Sequence, residues 1–238
     1  MSAEFDEHAR SYDQQIERAI SFSRREHDFF TKAKVDALLS LVARRLGDPG
    51  EMRALDVGCG SGVAHRFLTP RLKTLEATDV SPEMLALAKR ANPDVTYHLA
   101  DGSRLPVPTA AFDLTVATCV LHHVPPPERR SFLAETARVV RPGGLVVVFE
   151  HNPLNPLTRL VVRRVDFDAD AELTRMGPLQ ELFRASGIPL VESRFIVLFP
   201  WRGAVFTTVE QMLRRVPLGA QYYVCGRRGE AAVTADAP

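Results

Sequence analysis

Apolar positions recur at helical spacing early in the chain, where Phe29, Phe30, Val35, Leu38, Leu39, Leu41 and Val42 lay one stripe along residues 28–46. The cluster Gly47-Asp48-Pro49-Gly50 then ends that helix. Beyond it the period alternates. Short aliphatic runs predict strands at 52–57, 74–79, 95–99, 114–120 and 145–150. Amphipathic stretches between them predict helices at 62–69, 82–91 and 127–140. Pro82 and Pro127 stand in first turns, where a missing N–H costs nothing, and Gly143-Gly144 turns the last of these helices into the next strand. Strands alternating with helices of this length call for a parallel sheet covered on both faces.

After Glu150 the rhythm changes. Residues 151–177 carry two Asn-Pro steps, Asn152-Pro153 and Asn155-Pro156, several arginines, and the run Asp166-Phe167-Asp168-Ala169-Asp170. Proline turns the residue before it away from helix, so the chain is expected to leave the fifth strand as an irregular arm or cap. A helix at 178–186, a strand at 190–199, a further helix within 203–216 and a last strand at 221–225 follow, before a polar tail from Gly226 that is expected to be disordered. The organisation read from this pattern is a helical lid at 1–46, an α/β ligand-binding domain at 47–225 with a cap at about 151–177, and a tail at 226–238.

Composition narrows the function classes. A chain of 238 residues suits one large α/β domain with or without a modest cap. Its 30 basic and 29 acidic residues nearly cancel, which argues against a nucleic-acid partner held by a basic face. The first ten residues lack the apolar core of a signal peptide, and no apolar run approaches the roughly 20 residues of a membrane helix. Cys59, Cys119 and Cys225 are odd in number and widely spaced, which reads as reduced thiols of a cytoplasmic protein rather than a disulfide framework or a metal site.

The chemistry concentrates in Asp56-Val57-Gly58-Cys59-Gly60-Ser61-Gly62, a buried strand running into three alternating glycines and then a helix. Such a turn lets a ligand lie against the backbone, but nucleotide folds of several chemistries share it. The spacing is Gly-x-Gly-x-Gly rather than the Gly-x-Gly-x-x-Gly of pyrophosphate binders, and Asp56 repels a diphosphate while suiting an ammonium group. Asp79 ends the second strand about 20 residues on, where an acid accepts from ribose hydroxyls and repels a 2′-phosphate. Asp101, in Ala100-Asp101-Gly102-Ser103, is placed to accept from an adenine amine. The competing reading makes each acid a turn or cap former.

These segments carry a resemblance to class I S-adenosylmethionine-dependent methyltransferases. Residues 55–62 are similar to their first motif and residues 78–85 to their second. Phe112-Asp113-Leu114 through Leu121-His122-His123-Val124 resembles their fourth, and Arg141-Pro142-Gly143-Gly144 the turn before their fifth strand. The likeness is closest to the subgroup of ubiquinone and menaquinone C-methyltransferases and natural-product methyltransferases. It implies a Rossmann-like, doubly wound, mostly parallel seven-stranded sheet with an antiparallel last strand. It also implies S-adenosylmethionine as cofactor, with S-adenosylhomocysteine as product. Carried over by position, Gly58, Cys59, Gly60 and Gly62 line the methionine part beside Asp56, Asp79 holds the ribose, Val80 and Met84 pack on adenine, and Asp101, Gly102 and Ser103 face its edge. Thr118 and Cys119 border the same site, and Tyr12, in an opening Tyr-Asp, closes over the cofactor. A small-molecule acceptor is implied as partner, with no nucleic acid, membrane span or metal; oligomeric state stays open.

A hydroxyl or carbon acceptor must also lose a proton, and histidine suits that task near neutral pH. His122 and His123 follow the fourth strand and His151 the fifth, at the strand ends that border a ligand crevice. Neighbours on an extended stretch point oppositely, so at most one of His122 and His123 is expected to face the pocket. The resemblance, in which the second place carries a pocket-facing polar residue, implies His123 as the base, with His151 and His122 as the other candidates. His65 reads as surface or structural. A cyclase or isomerase that binds the same cofactor, or a non-catalytic cofactor-binding protein, keeps every feature of the glycine turn; an NAD dehydrogenase is least favoured.

Overall fold

Aliphatic runs at the predicted places form one mixed sheet. The computed structural model describes residues 27–163, 172–197 and 216–229. Its strands are β1 (Arg53–Val57), β2 (Thr74–Asp79), β3 (Thr96–Leu99), β4 (Phe112–Thr118), β5 (Val140–His151), β6 (Leu190–Ile196) and β7 (Gln221–Arg227), in the order β3-β2-β1-β4-β5-β7-β6. Strands β1 to β5 pair in parallel, and β7 runs antiparallel to both β5 and β6. The chain builds outward from β1 to β3, then returns to the other side of β1 as β4. That reversal opens a crevice at the carboxyl ends of β1 and β4.

Alternation along the strands divides the core into two layers. Ala54, Val116, Val147, Phe149 and Tyr223 face one side, where they meet α1 (His27–Arg45) through Val35, Leu38, Leu39, Leu41 and Val42. Leu55, Val57, Ala117, Val146, Val148 and Tyr222 face the other. There Leu133 and Val139 of α4 (Arg129–Val139) and Leu179 and Phe183 of α6 (Met176–Ala185) cover them. Of the N-terminal segment expected as a lid, α1 therefore packs into the core, and residues 1–26, with Tyr12, lie outside the described residues.

Three local expectations change. The helix expected at 62–69 shortens to α2 (His65–Leu68) and tightens into a 3₁₀ turn at Thr69–Arg71, because Pro70 has no N–H to continue the ladder. After β5 the chain does not stay irregular. Asn155 takes extended backbone, as a residue before proline must, and that is also the conformation of an N-cap. Its Oδ1 accepts from Leu157 N at 2.9 Å and Thr158 N at 3.1 Å, and Pro156 opens α5 (Pro156–Val162). The polar tail also begins later than Gly226: Gly226 and Arg227 complete β7 opposite Val146 and Leu145. A side chain at 226 would sit 2.5 Å from Ile188 and 2.9 Å from Phe183, so this glycine marks close packing, not a strand end. The expected helix within 203–216, except Val216, and the run 166–170 lie outside the described residues.

Asn152 fastens the exit of β5. It is buried, donates to Gly219 O at 2.7 Å and Pro217 O at 3.1 Å, and accepts from Leu154 N at 3.0 Å. Asn152→Ala strands the buried Gly219 carbonyl and is expected to cost about 1–3 kcal/mol, read as a lowered denaturant midpoint with unchanged slope.

Candidate active site

The glycine turn is held from below by the end of β2. Gly58 N and Cys59 N both donate to Thr78 O, at 2.8 and 3.0 Å, and Gly60 N donates to Asp79 Oδ2 at 2.8 Å. The other Asp79 oxygen accepts from Ser81 N at 3.0 Å. Ser81 in turn caps α3 (Pro82–Ala91), accepting from Met84 N at 3.1 Å. One carboxylate thus ties the turn after β1 to the turn after β2. Burial raises the Asp79 carboxyl above its ordinary value, against the lowering pull of the Ser81, Gly60 and Val80 amides. Additional hydrogen-bond donors from a ligand are favourable at such a group.

Glycine is required in this turn by the protein itself. Gly58 has φ +74°, and a side chain there would lie 2.6 Å from Val120; Gly62 has φ +72°, and a side chain would lie 2.9 Å from His65 Nδ1. Burial pushes the Cys59 thiol well up, with Asp56 and Asp79 adding to the effect.

Asp56 and His65 form a buried pair beneath the glycines. His65 is structural and fully buried: Nε2 lies 3.0 Å from Asp56 Oδ2, and Nδ1 lies 2.9 Å from the Tyr97 hydroxyl. A carboxylate only accepts, so Nε2 carries the proton. Asp56 Oδ1 is buried and has no hydrogen-bond partner among the described residues. A buried carboxylate oxygen without a donor is costly unless a ligand supplies one, and an ammonium group does so with charge assistance. The donor set thus fits the amino-acid end of S-adenosylmethionine.

The remaining cofactor candidates line the same end of the sheet. Val80 is half-buried and lies 3.9 Å from the point a side chain at Gly102 would occupy; Met84 is buried. Asp101 is exposed, and its Oδ1 accepts from Ser103 N, Ser103 Oγ and Arg104 N at 2.8–2.9 Å. The Arg104 and Ser103 amides and the Ser103 hydroxyl hold its carboxyl down to about 2. One oxygen of Asp101 therefore forms the turn, as the competing reading had it. Thr118 ends β4, and Cys119 follows with φ +56°, a conformation unusual outside glycine.

Beyond the carboxyl ends of β4 and β5, His122, His123 and His151 come together over a residue that sequence reasoning passed by. Leu121–His123 is a 3₁₀ turn, not the extended stretch expected, so the two histidines do not point to opposite sides; their rings stand 4.2 Å apart. His122 is buried with Nδ1 2.6 Å from Glu150 Oε2, and its ring is 5.5 Å from that of His151. Glu150 Oε1 accepts from Leu121 N at 2.9 Å. Burial alone raises the Glu150 carboxyl, but His122, by charge and hydrogen bond, with His151 and His123, outweighs it and holds the group below its ordinary value. His123 and His151 are half-buried. Gln221, opposite His151 across β5 and β7, is buried, donates to Cys119 Sγ at 3.7 Å and leaves Oε1 without a partner among the described residues. The available signal for both residues was their place at strand ends bordering the crevice. Among the described residues no group of three or more His, Cys, Asp or Glu side chains is placed to hold a metal.

Residues 55–148 match the family model described as a methyltransferase domain. Malonyl-[acyl-carrier protein] O-methyltransferase of Serratia marcescens is 31% identical over 169 residues, covering 71% of this chain and 65% of that protein. The 27-O-demethylrifamycin SV methyltransferase of Amycolatopsis mediterranei is 32% identical over 152 residues, covering 61% and 51%. The alignments thus span between about half and just under two thirds of these relatives' lengths. In fold, an S-adenosylmethionine-dependent methyltransferase from Mesorhizobium loti superposes with TM-score 0.57 at 24% identity, over 79% of this chain and 96% of that one.

The His122–Glu150 pair gives a test of its own. His122→Ala leaves a buried carboxylate uncompensated and is expected to lower stability by about 3–5 kcal/mol at neutral pH. The folded Glu150 value lies below the unfolded one, so its charge adds stability above about pH 4.5, lost as the pH falls through the lowered value. Denaturation of wild type and Glu150→Gln across acid pH is expected to show the gap between them closing in that range.

The strand order and the sequence relatives point the same way: residues 55–148 match a methyltransferase domain, and the chain is similar to class I S-adenosylmethionine-dependent methyltransferases.

Proposed function

We propose that the chain transfers a methyl group from S-adenosylmethionine to a small, largely apolar acceptor. The observation that carries this reading is the pair of buried acids at the glycine turn, Asp79 tied to Gly60 and Asp56 with one oxygen lacking a donor. In this reading Asp56 faces the ammonium group and Asp79 the ribose hydroxyls. Val80, Met84 and the 101–103 turn border the adenine. When bound, the cofactor supplies a methyl group made electrophilic by its sulfonium.

The chain's main task is then alignment, which in well-oriented cases contributes roughly 7–11 kcal/mol. His123 and His151, half-buried beside the buried His122–Glu150 pair, take the proton that an oxygen or carbon acceptor gives up. Glu150 does not touch the acceptor; it fixes the His122 ring and lays a negative charge under the cluster. Of the reactions this fold can host, methyl transfer is favoured over cyclisation or a non-catalytic role, because the sequence relatives are named as methyltransferases.

Incubation with methyl-labelled S-adenosylmethionine and a small-molecule extract is expected to move label into a small product, and label confined to the cofactor would overturn the proposal. His123→Ala is expected to slow that transfer by about 10²–10⁴-fold with S-adenosylhomocysteine affinity unchanged. His151→Ala, made without touching Asn152, tests the second candidate in the same assay. Asp79→Ala is expected to weaken S-adenosylhomocysteine about 10–150-fold, the equivalent of about 1.5–3 kcal/mol for a charge-assisted bond, in a calorimetric titration.

A further inference from the structure

Large exposed apolar side chains are not scattered over this molecule. Among the described residues they are Leu99, Leu154, Leu157, Leu160, Val216 and Leu218. All but Leu99 fall in two segments that are bonded to each other. Asn155 Nδ2 donates to Leu218 O at 2.7 Å, and Asn152 Nδ2 reaches Pro217 O and Gly219 O. Thr158 Oγ1 adds a bond to Ala220 O at 2.8 Å. Leu154, Leu157, Leu160, Val216 and Leu218 therefore form one patch, and apolar patches of this kind mark interaction surfaces.

Among the described residues its charge is one-sided. At about 100° per residue, the buried Thr158 and Val162 turn one face of α5 to the protein and leave Leu157, Leu160 and Arg163 facing away. Arg159 lies at the margin between the two faces, also exposed. Residues 152–163 and 216–220 contain no acidic residue, and neither Arg159 nor Arg163 is in an ion pair among the described residues. A second copy docking by two-fold symmetry on this patch would set arginines against their own copies. An anionic lipid surface meets both demands: leucines enter the acyl boundary while arginines reach the headgroup phosphates along their aliphatic stems.

We propose that this patch is a docking surface for an anionic lipid bilayer. It lies at the carboxyl edge of the sheet: α5 begins five residues after His151, and Gly219-Ala220 leads directly into Gln221, the register partner of His151. Docking here turns the acceptor side of the crevice toward the lipid, the phase in which an apolar small molecule concentrates. The proposal does not depend on which reaction the crevice performs.

The test is cosedimentation of the full chain with phosphatidylcholine vesicles, with and without an added phosphatidylglycerol fraction. Binding is expected to need the anionic lipid and to weaken at high salt. Arg159→Gln and Arg163→Gln are each expected to lower the partition coefficient about fivefold, the equivalent of about 1 kcal/mol per charge near the surface. Leu157→Asp with Leu160→Asp is expected to abolish binding, and Leu99→Ser, at the far edge of the sheet, to leave it unchanged. Unaltered S-adenosylhomocysteine affinity shows that each variant is folded. Failure of wild type to bind anionic vesicles, or binding by the leucine double variant equal to wild type, overturns the proposal. So does a concentration-dependent dimer that the double variant dissolves while vesicles bind neither protein, which gives the patch to a second copy.

Discussion

The Asp79 carboxylate, accepting from Gly60 N with one oxygen and from Ser81 N with the other, joins the two turns from which the cofactor side of this molecule is made. β1 delivers the glycines and β2 delivers the acid, and the parallel register that pairs Val57 with Thr78 brings both to the same level at the sheet's edge. Every other feature of that side follows from this junction. Ser81 can cap α3 only because its own amide is held, and Met84 is buried because α3 starts where it does. The cost of keeping a carboxylate buried there is visible in the upward shift that burial gives it. A site that spends stability in this way is placed to recover it from a ligand carrying hydroxyl donors.

The parallel half of the fold was legible because its signals are local. The near-continuous burial of β1 and β2, Pro82 behind a serine cap, and glycines at positions that demand positive φ are each written in a few neighbouring residues. The second half depends on longer reach. Asn155-Pro156 was read as a helix breaker, yet the extended backbone that proline imposes on Asn155 is what an N-cap needs, and α5 begins there. Gly226 was read as the start of a tail, while its lack of a side chain admits Ile188 and Phe183, some 40 residues earlier in sequence. Neither meaning is present until the sheet has formed.

The same division runs through the site. Asp56, Asp79 and the glycines sit within one crossover of each other, so their spacing alone pointed to a common ligand. Glu150 and His122 are 28 residues apart and meet only because β4 and β5 are neighbours whose ends coincide. Once paired, they recast the question of the base. The turn at 121–123 buries His122 against a carboxylate, and the half-buried His123 and His151 both lie near its ring and that fixed charge. His65, which looked incidental, holds one oxygen of Asp56, while the other has no partner among the described residues.

The central claim is that the junction of β1 and β2 is shaped for S-adenosylmethionine and its product, not for a dinucleotide. Calorimetric titration of the wild-type protein with S-adenosylhomocysteine and, separately, with NADH tests this most directly. The buried acids at the glycine turn predict saturable binding of S-adenosylhomocysteine and no heat above dilution from NADH. Saturable NADH binding without a response to S-adenosylhomocysteine would contradict the account.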